Sequence, residues 1–103
     1  MHVISRKRLV EFGNVHAPAQ APLDAWYRVM KAGRFTGWAA LKATFGSADL
    51  LGTGLVVFDI GGNKYRLVAN VHYATATNIG RVYVRHVFTH EEYDRWSKQR
   101  RRN

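Results

Sequence analysis

The chain has 103 residues, no cysteine, and 16 Lys plus Arg against 7 Asp plus Glu, a net charge of +9. That length holds one modest core and leaves no room for a cofactor domain beside a substrate domain. Without cysteine, disulfides and thiolate zinc sites are excluded, and no apolar run approaches the ~20 residues that span a bilayer.

Reading in chain order, His2–Ile4 is a short apolar strand candidate. Arg6, Lys7 and Arg8 follow, but Glu11, Gly13, Asn14 and His16 stand where a secretory signal would be apolar, so a cytoplasmic location is expected. Ser5 is placed to cap a helix Arg6–Phe12 that would stop at Gly13-Asn14. Pro18 and Pro22 interrupt the next stretch, and Pro22 suits a first helical turn. Leu23, Trp26, Tyr27 and Met30 recur at helical spacing, which predicts a helix to Lys31 ended by Gly33. Thr36 can cap a third helix, Gly37–Phe45, with Gly46 as its stop. Strand signals then take over. Leu55–Ile60 is an apolar run, Gly61-Gly62-Asn63 is a hairpin turn, and Lys64–Tyr73 alternates. After the turn Thr77–Gly80, Arg81–Phe88 alternates again. Thr89-His90-Glu91-Glu92 reads as a capping box opening a helix His90–Ser97. Helices followed by strands predict an α+β domain, with the helices on one face of a small twisted antiparallel sheet and a short C-terminal helix. The domain spans residues 1–97, and 98–103 is expected to be a basic flexible tail.

Excess positive charge attracts polyanions over long range. Nucleic acid is the first candidate partner, an acidic protein the second and an anionic membrane the third. If Tyr65, Leu67, Ala69 and Val71 face the core, parity turns Arg66 and His72 outward. If Val82, Val84, His86 and Phe88 face the core, Arg81, Tyr83 and Arg85 point outward, and His86 becomes a core histidine. Arg66 and Arg85 would then share one face of paired strands, where two guanidinium forks can grip a phosphate and Tyr83 can stack on a base. The same pattern also describes a solvated outer face. His90 begins the last helix, with Tyr93 on the same helical side and Asp94 four residues on. A His, a Tyr and two Arg around one phosphate suffice for RNA cleavage without metal or cofactor. The RNA brings its own 2′-hydroxyl, and the protein supplies a base, an acid and positive charge. No His, Asp and Glu spacing suggests a metal site. Trp26, Trp38 and Trp96 are expected in the core. Lys42, on the third helix, is either a guide for an RNA backbone or a surface lysine.

With these residues in view, the chain resembles the HigB toxins of the RelE-like superfamily. The matching segments are Met1–Ser5, Leu41–Phe45, Phe58–Ala69 with its Gly61-Gly62-Asn63-Lys64-Tyr65-Arg66, and Val84–Asp94 with its Thr89-His90 and Tyr93-Asp94. The resemblance implies an mRNA interferase fold, helices packed on a twisted antiparallel sheet with RNA bound on the open face. It also implies a cognate antitoxin carrying a helix-turn-helix. The metal-independent endoribonuclease expectation comes from the side chains above. The basic surface, which suits ribosomal RNA, makes mRNA on the ribosome the expected substrate. Carried over by position, Arg66, Arg85, His90 and Tyr93 are the candidate catalytic residues. Lys42, Asn63, Lys64, His72, Arg81 and Tyr83 are the candidate RNA contacts. A non-catalytic nucleic-acid-binding module and a gyrase-poisoning toxin of similar fold are the competing expectations.

Overall fold

A computed structural model describes residues 1–52 and 54–102. The elements in order are β1 (His2–Ile4), α1 (Arg6–Val15), a 3-10 turn (Ala17–Ala19), α2 (Gln20–Ala32), α3 (Trp38–Thr44), β2 (Asp49–Gly52), β3 (Leu55–Ile60), β4 (Tyr65–His72), β5 (Arg81–Thr89) and α4 (His90–Arg102). The strands form one sheet in the order β1-β5-β4-β3-β2. β2 to β5 pair antiparallel, while β1 lies parallel to β5, with Val3 opposite Val82, so the sheet is mixed.

Three helix boundaries differ from the sequence expectation by three residues or more, while α3 starts one residue late with Gly37 rather than Thr36 at its N-cap. α1 runs through Gly13 to Val15. Gly13 is a contact position rather than a stop: Gln20 Nε2 donates to its carbonyl at 2.9 Å, and a Cβ there would meet Gln20 Cγ at 2.9 Å. α2 begins at Gln20 rather than Leu23, because Pro22 falls in the first turn, where its missing N–H costs nothing. α4 continues through Lys98 to Arg102 instead of ending at Ser97; Asn103, the last residue of the expected tail, lies outside the described residues.

α1, α2 and α3 cover one face of the sheet. Leu9, Leu23, Trp26, Met30 and Leu41 meet Val56, Phe58, Leu67, Ala69, Val82 and Val84 there, all buried. Trp26 and Phe45 contact Phe58 edge-on, at 5.4 and 5.1 Å between ring centroids. Val57 and Val68 are also buried, yet they lie outside this cluster. Strand parity puts them on the opposite face, as a directly paired couple. α4 crosses that face. It begins beside Lys64, whose carbonyl accepts the His90 N–H at 3.0 Å. Further along, Arg100 Nη1 donates to Leu51 O on β2 at 3.4 Å.

Candidate functional site

The outer face is set by one irregularity. β4 and β5 pair as Arg66 with Phe88, Val68 with His86, Ala69 with Val84 and Asn70 with Tyr83. Arg85 has no partner, so β5 carries a bulge there. One extra residue inverts the alternation beyond it. His86 and Phe88 therefore join Arg66 and Asn70 on the outer face, and Val87 turns toward the core. This corrects the reading of His86 and Phe88 as core residues. Trp96 is corrected too: it packs outside, 5.3 Å from His86 and 5.5 Å from Phe88. A sign of the bulge was present in the sequence. Apolar Val82, Val84 and Val87 are spaced by two and then three, with two polar residues, Arg85 and His86, side by side.

Two groups of candidate residues result. The first lies at the hairpin end. Arg66 on β4 is held by Asp59 on β3, Nε to Oδ1 3.2 Å, and its Nη1 donates to the carbonyls of Asn63 (2.8 Å) and Tyr65 (3.2 Å). Its Nη2 makes no hydrogen bond among the described residues, and its guanidinium sits 5.9 Å from the Tyr93 ring centroid. Because Tyr65 pairs with Thr89, the first turn of α4 lands beside the hairpin, and the His90 N–H locks to Lys64 O. The half-exposed His90 imidazole faces Asp94, Nδ1 to Oδ2 3.5 Å. The capping box forms as read from sequence: Thr89 N–H donates to Glu92 Oε1 at 2.8 Å, and Glu92 N–H to Thr89 Oγ1 at 3.2 Å. Those amides are spent, so an anion beside His90 would rely on side-chain cations.

The second group lies further down the sheet. The Arg85 Nε donates to Asn70 Oδ1, and its guanidinium is 5.7 Å from the Tyr83 ring. Tyr83 meets His72 edge-on at 5.4 Å, and His72 pairs in register with Arg81. Arg85 lies between the levels of Val68 and Ala69, about 8 Å along the strand from Arg66 at ~3.3 Å per residue. The two guanidiniums also turn apart, one toward Asn63 and the other toward Asn70. So the structure gathers Arg66, Asn63, Lys64, His90 and Tyr93 at one end and Arg85, Tyr83, His72 and Arg81 at the other. It does not close both arginines on one point. Lys42 joins neither group. Its Nζ donates to Ala48 O at 2.7 Å and lies 4.0 Å from Asp49, at the far β2 edge.

Asp59 and Asn70, which hold the two arginines, were not singled out from sequence; each becomes visible only through strand pairing. His86 is the residue whose electrostatics stand out. Burial against Phe88 and Trp96, then the Arg8 and Arg85 guanidiniums, hold its pKa below the ordinary imidazole value. Among the described residues, no three His, Asp or Glu side chains converge closely enough to hold a metal ion, and no helix is long and apolar enough to cross a membrane.

Fold and charge together define a small α+β domain with a cationic outer sheet face suited to a polyanion. Residues 19–96 match the HigB_toxin family, described as the RelE-like toxic component of a toxin-antitoxin system. An mRNA interferase toxin HigB of Escherichia coli K12 is 33% identical over 96 residues, covering 91% of this chain and 88% of the relative. An mRNA interferase HigB of Shigella flexneri matches to the same extent. An mRNA interferase HigB of Escherichia coli O6:H1 (strain CFT073) is 28% identical over 105 residues, covering all of this chain and 98% of the relative. The chain belongs to the HigB toxin family.

Proposed function

We propose that this toxin is an endoribonuclease that cuts mRNA, the activity for which its relatives are named. The observation that supports the reading is the junction of hairpin and α4, where the Arg66 guanidinium lies 5.9 Å from the Tyr93 ring and the His90 N–H donates to the Lys64 carbonyl. In this reading the scissile phosphate binds between the free Nη2 of Arg66 and the Lys64 ammonium. His90, oriented by Asp94, removes the proton from the RNA 2′-hydroxyl. The 2′-oxygen attacks the adjacent phosphorus, Arg66 and Lys64 stabilise the added negative charge, and Tyr93 protonates the departing 5′-oxygen. The products are a 2′,3′-cyclic phosphate and a free 5′-hydroxyl. No metal is required by this chemistry, because the nucleophile belongs to the substrate.

Arg85 and Arg81 take the flanking phosphates, with Tyr83 and His72 available to stack on bases. A phosphate held by Arg85 is a neighbour of the scissile one, which relaxes the demand that one phosphate satisfy both arginines. The breadth of the cationic face suits ribosomal RNA, so cleavage of mRNA on a translating ribosome is the expected setting. The partner is a cognate antitoxin carrying a helix-turn-helix, and the location is the cytoplasm. To test the reading, purified toxin is incubated with mRNA, with and without ribosomes, in excess chelator. Cyclic-phosphate ends formed in chelator are expected. Cleavage that appears only when a divalent metal is restored would contradict the mechanism. Binding without cleavage under every condition would identify a non-catalytic module.

A further inference from the structure

The bulge at Arg85 does more than free one arginine, because it also moves a ring out of the core. Phe88 and His86 lie two residues apart on the outer face, 4.9 Å between centroids and 15° from parallel. Tyr93 extends the row behind Phe88 at 6.4 Å, and Trp96 flanks both rings as a wall. Exposure is graded along this row. Val68 beneath is buried, Phe88, Tyr93 and Trp96 are half-buried, and His86 is exposed. A roof serving only to cover Val57 and Val68 would end in an apolar side chain. This one ends in an imidazole next in sequence to the bulged Arg85, with the Arg85 and Arg8 charges close enough to disfavour its protonation.

We propose that His86 is a base-stacking platform, taking one nucleobase of single-stranded RNA onto the open end of the Phe88–His86 stack. The inference rests on the RNA-binding part of the proposed function and adds to it a base subsite between the two groups of residues. Three features support it. A stack of near-parallel rings with an exposed terminal ring accepts a further planar group at little cost in ordering, because the platform is already built. The flanking cation Arg85 is fixed by Asn70 and cannot collapse onto the imidazole, so it remains available for the phosphate of the stacked nucleotide. Finally, partial burial against Phe88 and Trp96, with the Arg8 and Arg85 charges, lowers the His86 pKa and so favours the neutral ring, which has one nitrogen to donate and one to accept at the base edge. Position along the sheet agrees as well: His86 stands one pleat from Phe88, the partner of Arg66, so a base on His86 belongs to a nucleotide adjoining the scissile phosphate.

The test uses the full-length protein and a fluorescent single-stranded 2′-O-methyl oligonucleotide, which cannot be cleaved through its own 2′-position. Affinity is measured for the intact oligonucleotide and for a set carrying one abasic site at each position in turn. One abasic position is expected to weaken wild-type binding by about tenfold. The His86→Ala protein should bind the intact probe about tenfold more weakly and lose its sensitivity to that position, while His86→Phe keeps both. Overturning results are an abasic series that is flat for wild type, a His86→Ala protein with wild-type affinity, or no binding of the probe at all. The wild-type series stands even if His86→Ala fails to fold, which a thermal melt reports. Failure here leaves cleavage by the wild-type protein untouched. Conversely, a protein that shows the platform but never cuts RNA would end the catalytic reading alone.

Discussion

Removing one residue from a central strand ordinarily exchanges its two faces and unfolds the domain. At Arg85 the opposite is expected. This residue is the extra one of the β5 bulge, so its deletion leaves Val84 facing inward and His86 facing outward, in a now regular ladder against β4. The loss is the hydrogen bond from Arg85 to Asn70, worth about 0.5–1.5 kcal/mol, set against the gain of a continuous ladder. The net change should stay within ~1 kcal/mol, a Tm shift of no more than about 8 °C for a domain of this size. Deleting Ala69, directly across from Val84, is the control. It would turn Tyr65 and Leu67 outward, at ~1.5–3 kcal/mol each. It would also turn Arg66 inward, away from Asp59, at a cost of several more (about 2–7 kcal/mol for an unpaired polar group). Together these reach the total stability of a small domain, about 5–15 kcal/mol. Urea and thermal unfolding followed by circular dichroism compares the two. If the Arg85 deletion fails to fold, or costs as much as the Ala69 deletion, the assignment of the bulge and of the outer face is wrong.

Three further outcomes follow from the same geometry. Trp96→Ala removes the ring packed against His86 and Phe88 and should cost about 2 kcal/mol, near 10 °C in Tm, less than a fully buried Trp because the residue is only half-buried; an unchanged melt would show that this packing does not hold α4 to the sheet. Gly80→Ala should cost about 3 kcal/mol, since Gly80 has φ +83° and an added Cβ would stand 2.7 Å from His72 O and 2.9 Å from Ala74 N; equilibrium urea unfolding gives the value. The third concerns pH. Burial, Arg8 and Arg85 depress the His86 pKa in the folded state, so below the ordinary value of about 6.5 the unfolded chain takes up a proton that the native chain refuses. That contribution to stability is present above pH ~6.5 and is lost as pH falls through the folded pKa. Between pH 7.5 and 5.5, the Tm of His86→Gln should therefore fall less than that of wild type; parallel curves would remove the electrostatic account of His86.

Local signals served best where one residue decides the outcome. The Gly61-Gly62-Asn63 hairpin and the Thr89–Glu92 capping box formed as read, because positive φ at Gly61 and Gly62 and the reciprocal cap bonds are properties of the segment itself. The helical stripe of Leu23, Trp26 and Met30 likewise became the buried face of α2. Elements that depend on a partner were less visible. β2 is a four-residue edge strand, three of whose residues are exposed, so it lacks the alternation of a half-buried strand. The parallel pairing of β1 with β5 joins segments nearly eighty residues apart. Parity alone assigned Arg66, Arg81 and Tyr83 to the outer face, and it failed only past Arg85, where the bulge inverted it. The candidate site shows the same division. His90, Asp94 and Tyr93 share one helical turn and are legible together in the sequence. The anchors Asp59 and Asn70, and the distance between the two arginines, arise from strand register, which a single sequence does not display.

Of the possible measurements, single-turnover cleavage of a defined mRNA by wild-type and His90→Ala proteins, with both new ends mapped, bears most directly on catalysis at the hairpin–α4 junction. The wild-type protein should leave a cyclic phosphate and a 5′-hydroxyl, and the variant should cut at least about 100-fold more slowly, with an unchanged melt and unchanged RNA affinity. Cleavage by His90→Ala at the wild-type rate, or a 5′-phosphate at the cut, would contradict the account.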